Sequence, residues 1–412
     1  MKAVVFTLGC KVNACESASI MTGLKNLGYE VSEELVPADV YVINTCAVTK
    51  EAEKKSRQAV ARVRKQNPNA KIIVTGCASE RDSKSFLGKD GVEVVTGTAC
   101  KEKIIELLDK SGEFVFPEET CYHELPLAET TKTRAYVKIQ DGCNNFCSYC
   151  IIPYLRGRSR SRSPESIVNE INALKPLETV LTAINLSAYN YEGQNIASLI
   201  KSLSNAETRI RLGSLEENVV TEEFLTALKN LKDFAPHFHL SLQSGCNKTL
   251  KAMNRKYTSE EFTSGVELIR KYFPNAGITT DVIVGYPTET EDDFLESLSF
   301  VEKIGFSDVH AFNFSPREGT VASKLKDIDA SVKKERLNKM LKLKKELKSR
   351  FLSKNMQTIQ DVIIEEFIDG YSVGYTANYL KTYIKGEYPL GKYKVKIIGE
   401  IFGEALAEIK EN

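Results

Sequence analysis

At 412 residues the chain is too long for one ordinary core, since a domain takes roughly 100–200 residues, and its pattern divides it in three. Apolar residues at 42% and charged residues at 27% exclude a disordered chain, and no apolar run approaches the roughly 18 residues of a spanning helix, which excludes a membrane protein. The net charge of +1 gives no global pull toward nucleic acid, so any such pull must come from local clusters.

The chain opens Met1-Lys2-Ala3-Val4-Val5-Phe6, which reads as a strand and not as a secretory leader, so a cytoplasmic protein is expected. Ten cysteines in that compartment stay reduced, and they are better read as metal or cluster ligands than as disulfides. Residues 1–125 repeat one pattern three times: an apolar strand, a small or polar turn with cysteine, then a helical stretch. The strands at 3–9, 40–45 and 72–76 lead to Cys10, Cys46 and Cys77, and a helix is expected over 51–65. Alternating strands and helices predict a doubly wound parallel α/β sheet, with all three cysteines at the carboxyl edge where such sheets bind ligands. A second cluster site held by these three thiols is the natural reading, and three buried structural cysteines the alternative.

Periodicity fades over 117–132, a polar stretch read as a linker. Over 132–352, strand candidates at 135–139, 179–184, 208–212, 238–242, 279–284 and 309–314 alternate with helices, predicting a partial (β/α)6 barrel with its chemistry at the carboxyl ends of the strands. Just after the first of these strands comes Cys143-Asn144-Asn145-Phe146-Cys147-Ser148-Tyr149-Cys150, a C-x3-C-x2-C run. Three thiolates hold three irons of a [4Fe–4S] cluster and leave the fourth open for chemistry. Structural zinc would need a fourth ligand, and all four histidines lie outside the run. Cys15, Cys100, Cys121 and Cys246 show no such spacing and receive no role. A strongly basic helix over 331–351 closes this region, and residues 353–412 read as about five short strands with glycine turns, a small β-barrel of the oligonucleotide-binding type.

With both cysteine sets in place, the chain resembles the radical S-adenosylmethionine (SAM) superfamily, and over essentially its full length the methylthiotransferase family within it. That family joins an N-terminal cluster domain, a radical SAM barrel and a C-terminal β-barrel called TRAM. Thr7-Leu8-Gly9-Cys10-Lys11-Val12-Asn13, Asn44-Thr45-Cys46-Ala47-Val48-Thr49 and Lys55-Ser56-Arg57-Gln58 are similar to the branch that acts on N6-threonylcarbamoyladenosine. The resemblance implies two [4Fe–4S] clusters, on Cys10, Cys46, Cys77 and on Cys143, Cys147, Cys150. It also implies one SAM as methyl donor and a second as source of a 5′-deoxyadenosyl radical, which takes hydrogen from adenine C2 next to the tRNA anticodon. The radical suits this carbon, because C2–H lacks the acidity for an ordinary side-chain base. Sister branches modify isopentenyladenosine or a ribosomal protein, and a non-catalytic two-cluster electron carrier is the alternative outside enzymes.

By the same resemblance Tyr149 faces the adenine of SAM, while Glu216, Gln243 and Arg255 contact SAM or flank its site. Ala183, Asn190, Glu217 and Ala78-Ser79-Glu80 depart from the family pattern. Arg156, Arg158, Arg160 and Arg162 place four guanidinium groups in seven residues, a strip expected to hold the phosphates and bases of an anticodon loop. The basic helix, the C-terminal lysines, and Tyr375, Tyr379 and Tyr383 among them are expected to extend this surface. An electron donor such as flavodoxin or ferredoxin, and a monomer, complete the expectation.

Overall fold

The computed structural model describes residues 1–99, 101–116, 121–128 and 133–410. In the first region, strands β1 (Lys2–Thr7), β2 (Glu30–Ser32), β3 (Val40–Thr45), β4 (Lys71–Gly76), β5 (Val92–Thr96) and β6 (Gly112–Phe114) form one sheet in the order β2-β1-β3-β4-β5-β6, every pair parallel. Helices α1 (Lys11–Asn26), α2 (Lys50–Gln66), α3 (Cys77–Arg81) and α4 (Lys84–Leu87) connect them. The central strand β3 is buried at all positions because both faces are covered: Tyr41 and Ile43 enter one apolar core, Val40 and Val42 the other. The doubly wound expectation holds. The three repeats read from sequence correspond to β1, β3 and β4, and the short strands β2, β5 and β6 are additions. Most of the linker and Cys100 lie outside the described residues.

Ten strands follow: β7 (Arg134–Asp141), β8 (Arg160–Ser161), β9 (Glu178–Ala183), β10 (Asn190–Tyr191), β11 (Gln194–Asn195), β12 (Arg209–Leu212), β13 (Ser214–Leu215), β14 (His237–Gln243), β15 (Gly277–Val284) and β16 (Asp308–Asn313). The six expected barrel strands are β7, β9, β12, β14, β15 and β16. The third is interrupted at Gly213, so that β12 pairs with β9 while β13 pairs with β14, and the ladder turns the corner of an open barrel there. Helices α5 (Ile152–Arg156), α6 (Pro164–Leu174), α7 (Ile196–Ser202), α8 (Glu222–Lys229), α9 (Asn247–Ala252), α10 (Ser259–Tyr272) and α11 (Glu291–Ile304) intervene. Both α10 and α11 open with complete capping boxes, Thr258 with Glu261 and Thr290 with Asp293.

The basic helix α12 (Ala330–Asn355) then leads into β17 (Ile359–Ile368), β18 (Tyr371–Thr376), β19 (Lys381–Lys385), β20 (Gly391–Ile401) and β21 (Glu404–Ile409), a closed barrel in the order β17-β18-β19-β21-β20. Two expectations about charge need correction here. Lys333 and Arg336 of α12 are buried and pair with Asp327 and Glu289, and Lys339, Lys344 and Lys348 meet Glu291, Asp308 and Glu404, so much of the helix is neutralised. Tyr375 and Tyr379 do not lie open for bases. They stack on each other and meet Arg134, Arg211 and His237 of the larger barrel, where they join the two barrels.

Candidate cluster and cofactor site

Cys10 is the residue before α1, Cys46 follows β3, and Cys77 begins α3. Their strands end side by side, and two glycines let the turns close. At Gly9 (φ +106) an added Cβ would sit 2.8 Å from Cys46 Cβ, and at Gly76 (φ +105) 2.5 Å from the Thr45 carbonyl. Asn13 ties the turns together, its Nδ2 donating to the carbonyls of Leu8 (2.8 Å) and Thr45 (3.0 Å). Burial pushes the Cys46 thiol up to about 11, with Cys77 and Cys10 adding to the rise, and burial raises Cys77 too, against the pull of Arg156. Thiols so disfavoured as thiolates in the bare protein suit cationic metal, which deprotonates coordinating sulfur outright.

The loop holding Cys143, Cys147 and Cys150 leaves the carboxyl end of β7. It is pinned on several sides: Cys143 N donates to Gly157 O at 3.0 Å, Ser148 N to Met253 O at 3.0 Å, and Ala322 N to Ser148 O at 2.7 Å. Burial lifts Cys150 to about 12, with Cys147 and Cys143 adding to it, and burial raises Cys143 as well. Among the described residues no three histidine, cysteine or carboxylate side chains converge on a single-ion position. Two sets of three thiols without histidine or carboxylate fit clusters, whose thiolates sit on separate irons, better than zinc.

Beside this loop the expected residues separate. Glu216 accepts from Asn145 Nδ2 (2.7 and 2.8 Å) and pairs with Arg255 at 2.9 Å, while Arg255 Nη1 donates to Cys147 Sγ at 3.4 Å. These residues line one cavity with Glu217, Asn218, Asn254, Lys256 and Tyr257. Burial, then Glu216, pushes the Glu217 carboxyl up to about 7, so the departure at this position puts a weakly acidic group at the cavity wall. Tyr149 packs against the apolar group of Met253, Tyr286, Phe314 and Ala322. Gln243 does not line the cavity. It ends β14 at a left-handed φ of +67, a strained conformation for this residue type.

The arginine strip is corrected by the structure. Arg156, Arg160 and Arg162 are buried, and only Arg158 is exposed, lying over the Phe146 ring at 4.6 Å. Arg162 pairs with Glu170 and Glu124. The side chain of Arg156 is wholly buried: Nη1 meets Glu16 at 2.9 Å and Asp141 at 3.1 Å, Nη2 meets Asn13 at 2.8 Å, and Nε donates to Cys77 Sγ at 3.3 Å. Carried on α5, six residues after Cys150, it thus reaches a thiol of the other set. Ile151 and Leu155 of the same segment enter the apolar core around Cys77 and Ala78, so the two cysteine sets face each other across one interface. Lys138 and Lys101 complete the network on Glu16 at 3.0 and 3.2 Å. Sequence reading missed this network. Its available signal was Glu16, an acidic residue among the buried positions of α1.

Cys15 and Cys246 are buried away from both sets and Cys121 is exposed.

Comparison with known proteins agrees with this architecture. Residues 137–301 match the model of the Radical SAM superfamily and residues 2–97 that of the Uncharacterized protein family UPF0004. A solved radical S-adenosylmethionine methyltransferase, TsrM from Kitasatospora setae, shares the fold with a TM-score of 0.58 at 14% identity, over 78% of this chain and 77% of that one. The chain therefore has a radical SAM fold preceded by a parallel sheet and followed by a closed barrel. The threonylcarbamoyladenosine tRNA methylthiotransferase MtaB of Bacillus subtilis is 39% identical over 88% of this chain and 85% of its own, and that of Chlamydia pneumoniae 42% over 76% and 75%. A tRNA-2-methylthio-N(6)-dimethylallyladenosine synthase of a Thermoanaerobacter species is 36% identical over 83% of this chain and 77% of its own. The chain belongs to the methylthiotransferase family.

Proposed function

We propose that this protein is a tRNA-modifying enzyme that attaches a methylthio group to C2 of N6-threonylcarbamoyladenosine at position 37, next to the anticodon. It uses SAM and [4Fe–4S] clusters, and we assign these to Cys143, Cys147 and Cys150 in the barrel and to Cys10, Cys46 and Cys77 in the N-terminal sheet. The observation that carries the reading is the contact between Arg156 and Cys77, because it sets the two thiol triads on opposite sides of one interface, where a base can lie between them. When bound, the clusters and SAM supply the sulfur, the methyl group and the radical that removes hydrogen from adenine C2.

The chain's own residues bind and orient. Glu216, Arg255 and Asn145 form a charged and polar wall beside Cys147 that suits the amino and carboxyl groups of SAM, and Tyr149 closes the other side with its ring. The division of labour follows the three regions: 1–125 for the auxiliary cluster, 132–352 for radical generation and 353–412 for RNA. With the arginine strip largely buried, we assign phosphate contact to Arg158, to the exposed Lys334, Lys342 and Lys345 of α12, and to lysines of the C-terminal barrel such as Lys385 and Lys394. Binding through phosphates predicts affinity that falls steeply with salt. Among the described residues no helix is long and apolar enough to cross a membrane.

The test is mass spectrometry of tRNA nucleosides from cells with and without the protein. The 2-methylthio derivative of N6-threonylcarbamoyladenosine should vanish with it. If that nucleoside persists unchanged, the tRNA assignment falls and ribosomal proteins become the next substrate to test.

A further inference from the structure

The strands of the partial barrel alternate, and the alternation defines its lumen. On β14, Phe238, Leu240 and Leu242 turn outward into the helix-facing core, so His237, His239 and Ser241 turn inward. The same parity brings Thr279 and Asp281 of β15 and His310 of β16 inside. His239 is the centre of this group: Nδ1 lies 2.9 Å from Thr279 Oγ1, Nε2 lies 3.2 Å from Asp281 Oδ2, and its ring is 5.7 Å from that of His310. Tyr379 of the C-terminal barrel stacks on His237 at 4.2 Å and so floors the lumen, and beside it Arg134 and Arg211 both pair with Glu178. Complete barrels fill this space with branched apolar side chains, whereas here it is lined by polar and charged ones.

One cation facing this space lacks a counter-charge. Lys11 is the first residue of α1, the helix that packs along β7 and β9 at the open side of the barrel. It is exposed, and among the described residues it makes no ion pair or side-chain hydrogen bond. Its electrostatic neighbours are all lumen groups, Arg134 and Arg211 against it and Glu178 and Asp281 for it, and its own charge acts on His237. A lysine placed between paired arginines, with both carboxylates already engaged, is completed by an anion from outside the chain.

We infer that the lumen between Lys11 and the His239–Asp281–His310 group is the recognition site for the substituent on N6 of the target adenine, and that it takes a substituent carrying a carboxylate and a hydroxyl. The inference rests on the reading above and names the chemistry that selects its substrate. With adenine C2 held between the two thiol triads, the N6 substituent extends from the same base into the adjoining lumen. A carboxylate pairs with Lys11, and a hydroxyl exchanges hydrogen bonds with His239 and Asp281. A purely hydrocarbon substituent would leave these groups desolvated and unpartnered, the arrangement by which a polar site rejects an analogue lacking the matching group.

The experiment uses the cluster-loaded enzyme with anticodon stem-loop RNAs bearing N6-threonylcarbamoyladenosine, N6-dimethylallyladenosine or plain adenosine. Wild type should convert the first, and Lys11→Met should raise its KM by about tenfold to a hundredfold, the weight of one charge-assisted hydrogen bond. Iron content, the KM for SAM and the Kd for the plain-adenosine RNA should stay at wild-type values, and Lys11→Arg should recover most of the loss. An unchanged KM for the threonylcarbamoyl RNA overturns the inference, and so does a rise in the KM for SAM, which would give the cation to the cofactor. Should Lys11→Met lose iron, His310→Leu carries the same expectation and the same refutation. Wild-type inactivity on the threonylcarbamoyl RNA is a separate outcome: it refutes the functional reading itself.

Discussion

Replacing Arg156 by methionine tests whether one buried guanidinium holds the N-terminal sheet to the barrel. The change keeps much of the side-chain volume but strips Glu16 and Asp141 of a partner at 2.9 and 3.1 Å, in a place where Arg156 and Glu16 have no exposed side-chain surface. Breaking a buried pair on one side costs about 3–5 kcal/mol. Lys138 stays 3.0 Å from Glu16 and 2.6 Å from Asp141, and Lys101 stays 3.2 Å from Glu16, so the low end, about 3 kcal/mol, applies. If α1 opens as one unit, that is about a hundredfold increase in the exchange of its protected amide hydrogens, read by mass spectrometry of peptides covering 11–26. Glu16→Gln in the Arg156→Met background should cost less than the sum of the two single changes, because each removes the same interaction. Exchange within about threefold of wild type, or strict additivity in the cycle, would refute the claim that this network joins the two halves of the site.

Three further outcomes follow from the same geometry. Cys147→Ala should abolish SAM cleavage, whereas Cys46→Ala should keep cleavage and lose the methylthio product; equal loss in both would contradict the separation of roles. Asp293 caps α11: burial works against its charge, but hydrogen bonds from Lys248 and Thr290 outweigh burial and hold the carboxyl at about 2. Because the folded value lies below the unfolded one of about 3.9, this contribution is present above about pH 4 and is lost as pH falls toward about 2. Asp293→Asn should remove that part of the acid sensitivity in a denaturation series, and an unaltered acid profile would speak against it. Arg211→Met should loosen the C-terminal barrel, since Arg211 pairs with Glu178 through two 2.8 Å bonds and donates to the carbonyls of Thr376 and Ala377 at 3.2 Å. Faster exchange confined to 371–385 would support this, and unchanged exchange there would not.

The sequence by itself determined what is periodic or contiguous. Alternating apolar strands and helices over 1–125 sufficed for the doubly wound sheet, because a strand buried on both faces must be apolar throughout, as β3 is. Six strand segments sufficed for the open barrel, and C-x3-C-x2-C for one set of ligands, since its three thiols lie on one short loop. The joining of Cys10, Cys46 and Cys77 was also legible, because parallel strands deliver their carboxyl ends to one edge whatever the loops between them. The break of the third barrel strand at Gly213 was not, since a ladder's choice between neighbours carries no local signal.

Only the tertiary structure decided what the charged side chains do. Arg156, Arg160 and Arg162 read in sequence as a solvent-facing strip, and the same residues are buried against Glu16, Asp141 and Glu170. Lys11 reads as an ordinary surface lysine beside a cysteine, and it faces the barrel lumen. The physical reason is that apolar burial is set by a segment's own periodicity, whereas a charge takes its meaning from the counter-charge across the interface. Here that partner lies up to 140 residues away, in a different layer of the fold.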